Sequence, residues 1–309
     1  MTIIPPYLKK GDTIGIVCPA GFMPLEKAAT CIKTVKSWGY KVKVGSTLGS
    51  QLNYFSGTDE ERLQDLQEML DDDEVKAILC GRGGYGTGRI IDQIDFKKFK
   101  KQPKWVIGFS DITVLHSHIL RRYNIAGLHA PMAAAFNDDG YKNVYVQSLL
   151  QALKGRRASY TCPSHEYNHL GTAAAPLTGG NLSLLAHLTG TPSAVKTTGC
   201  ILFIEDVGEY IYNIDRMLHQ LKRSGKLDGL AALIIGKFSD EKDTVTPYGF
   251  STIDVIRDIV KDYTFPICFN FPVSHEKENY ALKTGVNYKL TVKKDKVTLV
   301  EQRPPKTTD

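Results

Sequence analysis

Ser110 stands directly after the apolar run Trp105–Phe109 (WVIGF) and before Asp111 and the helix-like ITVLHSHIL. A serine at a sharp strand-to-helix junction is held clear of its sheet, and the N–H of the next residue can face a developing oxyanion. Only half of G-x-S-x-G is present, since Gly108 precedes the serine but Ile112 takes the place of the second glycine. The segment also reads as a plain helix start, because serine is a favoured N-cap and aspartate suits a first turn. A nucleophilic serine needs a base to take its proton, and the base needs an acid to orient it. His116 and His118 ride the helix that Ser110 would start, so their side chains are carried away along it. His275 lies beyond the apolar Pro266–Phe271 and offers a base from a different strand end. Glu205 is the first polar residue after CILFI at 200–204, with Asp206 and Glu209 as competitors that spacing does not separate.

A second constellation is the glycine run Gly81, Gly83, Gly84, Gly86 and Gly88, after the strand-like Val75–Cys80 and before RIIDQI. Taken literally, three of these glycines match the dinucleotide fingerprint G-x-G-x-x-G, whose partner acid ends the next strand. Asp111 follows that strand, 25 residues after Gly86. Against this, Arg82 and Tyr85 crowd the loop, and the lysine-rich 97–104 makes an unusual crossover. Two other readings stand beside it: a loop whose backbone N–H groups form an anion or oxyanion site, and a tight turn that needs positive φ. No metal site is expected, because H-E-x-x-H is absent and His165 and His169, although four apart, share a segment with Pro163.

The elements that would position these residues alternate. Thr13–Val17 reads as a strand, 24–38 as a helix, and Tyr40–Val44 as the next strand. Thr58-Asp-Glu-Glu61 is a capping box that opens a helix to about Leu70. Strands alternating with helices predict βαβ units and a parallel sheet, in which ligands collect beyond the carboxyl ends of the strands. The pattern lapses at 155–177, which reads as the join between an N-terminal domain (1–154) and a C-terminal domain (178–309). In the second, Ile211, Ile214, Leu218 and Leu221 share one helix face, and YKLTVKKDKVTLVE reads as a hairpin. The expected fold is α/β: a flavodoxin-like N-terminal parallel-sheet domain and a smaller C-terminal α/β domain that ends in a β-hairpin.

Composition narrows the classes. The chain has 309 residues, enough for two cores, with 42% hydrophobic and 23% charged residues, as in an ordinary globular protein. No apolar run approaches the roughly 20 residues of a membrane span, and the start lacks a signal-peptide pattern. A cytoplasmic location is therefore expected. The net charge is 39 − 33 = +6, with its densest basic run at Lys97, Lys98, Lys100, Lys101 and Lys104, read as a solvated helix end rather than a nucleic-acid patch. Six scattered cysteines read as small buried hydrophobes.

At these residues the sequence resembles the LD-carboxypeptidase family, serine peptidases that also include the microcin C self-immunity proteins. The resemblance runs through GDTIGIVCPAG at Gly11, RGGYGTGRIID at Arg82, GFSDIT at Gly108 and GLHAPM at Gly127. It continues with TGGNLSLLAHLTGTP at Thr178, EDVGEYIYNIDRML at Glu205, GKFSD at Gly236 and FPVSHEKENYALKTG at Phe271. It implies a triad of Ser110, His275 and Glu205, with a glycine loop that lies beside the nucleophile and holds no dinucleotide. It makes the backbone N–H groups of Gly84 and Asp111 the oxyanion donors. Arg82 becomes the candidate for the substrate carboxylate, with Tyr85 and Glu209 lining the pocket. The implied reaction releases terminal D-alanine from a murein tetrapeptide, without metal or organic cofactor, in a homodimer. A second reading within the family is an immunity-type hydrolase of a peptidyl–nucleotide conjugate, although no added aromatic loop is evident to grip an adenine. A reading outside it is a non-catalytic nucleotide-binding module built on Gly81–Gly88.

Overall fold

The computed structural model describes residues 2–302. The chain divides into two compact units, one of residues up to 156 together with 279–283, the other of 157–278 together with 284 onward.

The first unit alternates as expected: β1 (Thr13–Val17), α1 (Ala29–Ser37), β2 (Lys41–Val44), α2 (Asp59–Asp71), β3 (Val75–Cys80), α3 (Thr87–Ile90), α4 (Lys97–Lys101), β4 (Trp105–Gly108), α5 (Thr113–Tyr123), β5 (Gly127–His129) and α6 (Val144–Leu153). The inner strands β1, β3, β4 and β5 pair in parallel and are apolar on both faces, as a sheet covered by helices requires. β2, whose sequence is KVKV, lies at the edge and is largely exposed; lysines there discourage further strand pairing. The capping box at α2 forms in both directions, Thr58 Oγ1 accepting from Glu61 N and Glu61 accepting from Thr58 N. The lysine run behaves as a solvated helix end except at Lys104. That side chain is buried and donates to Met69 O and Asp72 O, at the carboxyl end of α2. Burial pushes its ammonium down to about 8.

The second unit holds β6 (Ser159–Pro163), β7 (Gly171–Asn181), α7 (Leu182–His187), β8 (Ile201–Val207), α8 (Ile211–Arg223), β9 (Ala232–Ser239), α9 (Thr252–Val260) and β10 (Ile267–Cys268). After β11 (Leu282–Thr284) come β12 (Asn287–Val292) and β13 (Lys296–Glu301). The six-stranded sheet has the order β11-β5-β4-β3-β1-β2 and the seven-stranded sheet β10-β9-β8-β7-β12-β13-β6. β7 to β10 run in parallel, while β12, β13 and β6 complete the sheet antiparallel. The protein is thus α/β with a mostly parallel first sheet and a second sheet that ends in antiparallel strands. Ile214, Leu218 and Leu221 of α8 are buried with Leu202, Ile204, Leu233 and Ile235, and Ile211 packs at the margin of that cluster.

The expected join at 155–177 is corrected, since it contains β6 and most of β7. β6 and the first part of β7 find their partners far along the chain: Tyr160 pairs with Leu299, and Ala173 with Leu290. Small residues in TAAAPLT give little periodic contrast, so their strand character comes from distant partners rather than local pattern.

Candidate active site

In the first unit, β4 runs into a short turn, Ser110–Ile112, and then α5. Ser110 has φ 62°, in the left-handed region. A non-glycine residue there costs about 1–3 kcal/mol and persists only where its surroundings hold it. The helix-cap explanation does not account for it. Phe109 and Ile112 occupy the cap positions of the turn and of α5, and neither makes a side-chain cap bond. Gly108 lets the chain turn this sharply, because a β-carbon on it would lie 2.9 Å from Ile112 Cγ1. Ile112, where a second glycine of the elbow motif would stand, packs into that space.

The glycine loop closes over this turn. A β-carbon on Gly83 would lie 2.8 Å from Ser110 Cβ, 3.1 Å from Ser110 Oγ and 3.3 Å from Asp111 N. The loop backbone therefore lies against the serine hydroxyl. Gly21 N donates to Gly83 O at 3.0 Å, and buried Arg62 donates to Pro19 O at 2.6 Å and Gly86 O at 3.0 Å while pairing with Asp59. Asp111 is buried, and its Oδ2 accepts the N–H of Thr87 at 2.8 Å. The acid that a dinucleotide reading requires is thus spent on the loop itself. The helix after the loop, α3, has only four residues, too few to build the dipole that holds a pyrophosphate. Arg82 is exposed and donates from Nη1 to Phe22 O at 2.7 Å. Tyr85 is about half exposed, with its ring 6.0 Å from that of Phe55.

In the second unit, Glu205 lies near the carboxyl end of β8 and is fully buried. Its Oε2 is 2.6 Å from Nδ1 of His275, on the loop after β10. A carboxylate can only accept from a neutral imidazole, so Nδ1 carries the proton and Nε2 is left as the basic nitrogen. Burial alone would lower the His275 pKa from its ordinary 6.5. The charge of Glu205, its hydrogen bond and the charge of Asp206 outweigh burial and hold it above that value.

Local backbone structure makes the approach of His275 possible. Ile204 pairs with Ile235 but Asp206 pairs with Phe238, so Glu205 faces two residues of β9, Gly236 and Lys237, across a bulge. A β-carbon on Gly236 would lie 2.3 Å from Val273 O and 3.1 Å from Glu205 Cβ. Only glycine lets the His275 loop run this close to Glu205, a role that the sequence reading did not assign to Gly236.

The competing carboxylates are placed elsewhere. Asp206 is buried and accepts from Asn181 Nδ2 at 2.7 Å, Val207 N at 2.8 Å and Ser183 N at 2.9 Å. Burial and the charge of Glu205 push its carboxyl up to about 6. Glu209 is in the loop before α8 and accepts from Asn213 Nδ2 at 3.3 Å. His116 is buried with Nε2 3.0 Å from Val106 O, and burial takes its imidazole down to about 4. His118 is buried against the ring of Phe96. Ser110, Asp111, Gly84, Arg82 and Tyr85 belong to the first unit, and Glu205, Glu209 and His275 to the second. Among the described residues no helix is long and apolar enough to cross a membrane.

Comparison with known proteins adds an independent view. Residues 14–130 match the model of the LD-carboxypeptidase N-terminal domain, and residues 174–290 that of the LD-carboxypeptidase C-terminal domain. A relative from Bacillus subtilis (strain 168), named "Probable murein peptide carboxypeptidase", is 38% identical over 91% of this chain and 89% of its own. The crystal structure of a muramoyltetrapeptide carboxypeptidase from Oxalobacter formigenes superposes with a TM-score of 0.86 at 29% identity, covering 95% of this chain and 99% of the other. A structure of the microcin self-immunity protein MccF with adenosine monophosphate reaches a TM-score of 0.85 at 21% identity, over 98% and 99% of the two chains. At that identity the likeness is one of fold.

Proposed function

The chain belongs to the LD-carboxypeptidase family, and from that premise we propose that it is a serine carboxypeptidase releasing terminal D-alanine from a murein tetrapeptide. Ser110 is the nucleophile, His275 its base, and Glu205 the acid that orients the base. The observation that carries this reading is the 2.6 Å hydrogen bond between Glu205 Oε2 and His275 Nδ1, which fixes the tautomer that a general base needs. The left-handed backbone of Ser110 supports it from the other side.

In this mechanism His275 Nε2 takes the Ser110 proton as Oγ attacks the carbonyl carbon of the penultimate residue. The N–H groups of Gly84 and Asp111 receive the oxyanion. The bond to D-alanine breaks as His275 returns the proton to the leaving amine. Water, deprotonated by His275, then attacks the ester on Ser110, and His275 passes that proton to the departing Ser110 Oγ as the shortened peptide is freed. Arg82 holds the terminal carboxylate, while Tyr85 and Glu209 line the pocket.

The test is a pair of substrates, a murein tetrapeptide and a peptidyl–nucleotide conjugate of the microcin type, each followed by chromatography. D-alanine release from the first, with the second left intact, is expected. Cleavage of the conjugate alone would replace the murein reading with the immunity-type one.

A further inference from the structure

The loop that carries His275 is tied to β9 first at Ile235, whose carbonyl accepts from Phe271 N at 3.0 Å, and then, nearer the histidine, at Lys237. At the bulge opposite Glu205, the N–H of Lys237 donates to Val273 O at 3.0 Å, two positions before His275. The Lys237 side chain then pairs with Glu276 at 3.3 Å and with Glu278, on the other side of the histidine. Inside the loop, Ser274 Oγ accepts from Glu276 N at 3.0 Å and donates to Glu278 O at 2.9 Å. The lysine side chain is 30% exposed and its two partners 49% and 42%. Ion pairs this exposed add little to folding stability and weaken with salt. Their geometric effect is larger than their energy, because one ammonium gathers two like-charged carboxylates just after the proposed base.

We propose that Lys237 is a positioning residue for His275. From the β9 bulge it grips the loop before the histidine through its backbone and after it through its side chain. This holds the imidazole at hydrogen-bond distance from Glu205. The inference rests on the proposed role of His275 as base, and the displacement of a catalytic group by about 1 Å is enough to slow turnover.

Three variants test it: Lys237→Met, Lys237→Arg, and Glu276→Gln with Glu278→Gln. The first readout is the low-field NMR resonance of the His275 Nδ1 proton bound to Glu205, recorded without substrate. The second is kcat for D-alanine release. Lys237→Met and the double glutamine variant are expected to broaden or lose the resonance and to lower kcat about ten-fold. Their Tm should stay within about 2 °C of wild type. Lys237→Arg should restore both signals, and roughly 0.5 M salt should weaken the wild-type resonance. An unchanged resonance in Lys237→Met overturns the proposal. So does an equal loss in the Met and Arg variants accompanied by a matching fall in Tm. Because the resonance needs no turnover, it decides the role of Lys237 even if the wild type releases no D-alanine.

Discussion

At Ser110 the unusual feature lies in the backbone: a single residue holds φ 62° in a turn against which the glycine loop packs. At His275 the unusual feature is a contact, a hydrogen bond to a carboxylate 70 positions earlier in the chain. The first is strain that local sequence can announce, through a serine after a Gly-x step at the end of an apolar strand. The second is electrostatics, which arises only once β8, β9 and the loop after β10 have been brought together. A nucleophile must be presented to its substrate, so backbone geometry matters most. A base must be oriented and tuned, so its partner matters most.

The strongest blow to the His275 side is deletion of the base. His275→Ala should lower kcat for D-alanine release by about 10⁴-fold or more, and a loss below ten-fold would remove His275 from the chemistry. Glu205→Gln keeps the shape but not the charge and should cost about 10³-fold, since an amide partner no longer enforces the tautomer. The same variant sharpens the electrostatic half. In wild type the acid limb of kcat/KM should fall above 6.5, because Glu205 and Asp206 raise the His275 pKa against burial. With the charge of Glu205 gone, burial should draw the limb downward, and a limb that does not move contradicts the tuning. The linked stability has the opposite sense. The bond of protonated His275 to Glu205 stabilises the fold fully below the unfolded pKa, and this part is lost as pH rises through the raised folded value.

On the Ser110 side, Gly83→Ala would drive a methyl group to 2.8 Å from Ser110 Cβ. About a hundred-fold loss of kcat is expected, with a destabilisation of about 1–3 kcal/mol read by urea unfolding. Near-normal turnover would mean that the loop does not hold the serine. The smallest effect belongs to a control for strain without chemistry. Asn124 also sits in the left-handed region, at φ 55°, where it ends α5. Asn124→Gly should change stability by less than about 1 kcal/mol and leave kcat unaltered; a fall in kcat would show that left-handed geometry alone does not mark the site.

Much of the architecture is legible in the sequence because it is local. The alternation of apolar runs and helical segments, the Thr58 capping box, the apolar face of α8 and the closing hairpin all depend on neighbours within a few residues. β6 and the first part of β7 carry no local pattern because their strand character is conferred by β13 and β12, more than a hundred residues on. Lys104 reads as solvated in the sequence because its partners, the carbonyls of Met69 and Asp72 at the end of α2, are invisible to a charge pattern. The same limit applied at the site. Glu205, Asp206 and Glu209 are equivalent by spacing and differ only in what reaches them: an imidazole, a triple hydrogen-bond cage and an asparagine. The glycine loop was ambiguous for the converse reason, since its residues fit a dinucleotide fingerprint until the closeness of Gly83 to Ser110 is known.

The most direct measurement is D-alanine release from a murein tetrapeptide by wild type and Ser110→Ala side by side, in the presence of a strong chelator. Robust release by wild type and a loss of about 10⁴-fold or more in the variant are predicted. Release by Ser110→Ala at a rate comparable to wild type would contradict the serine mechanism.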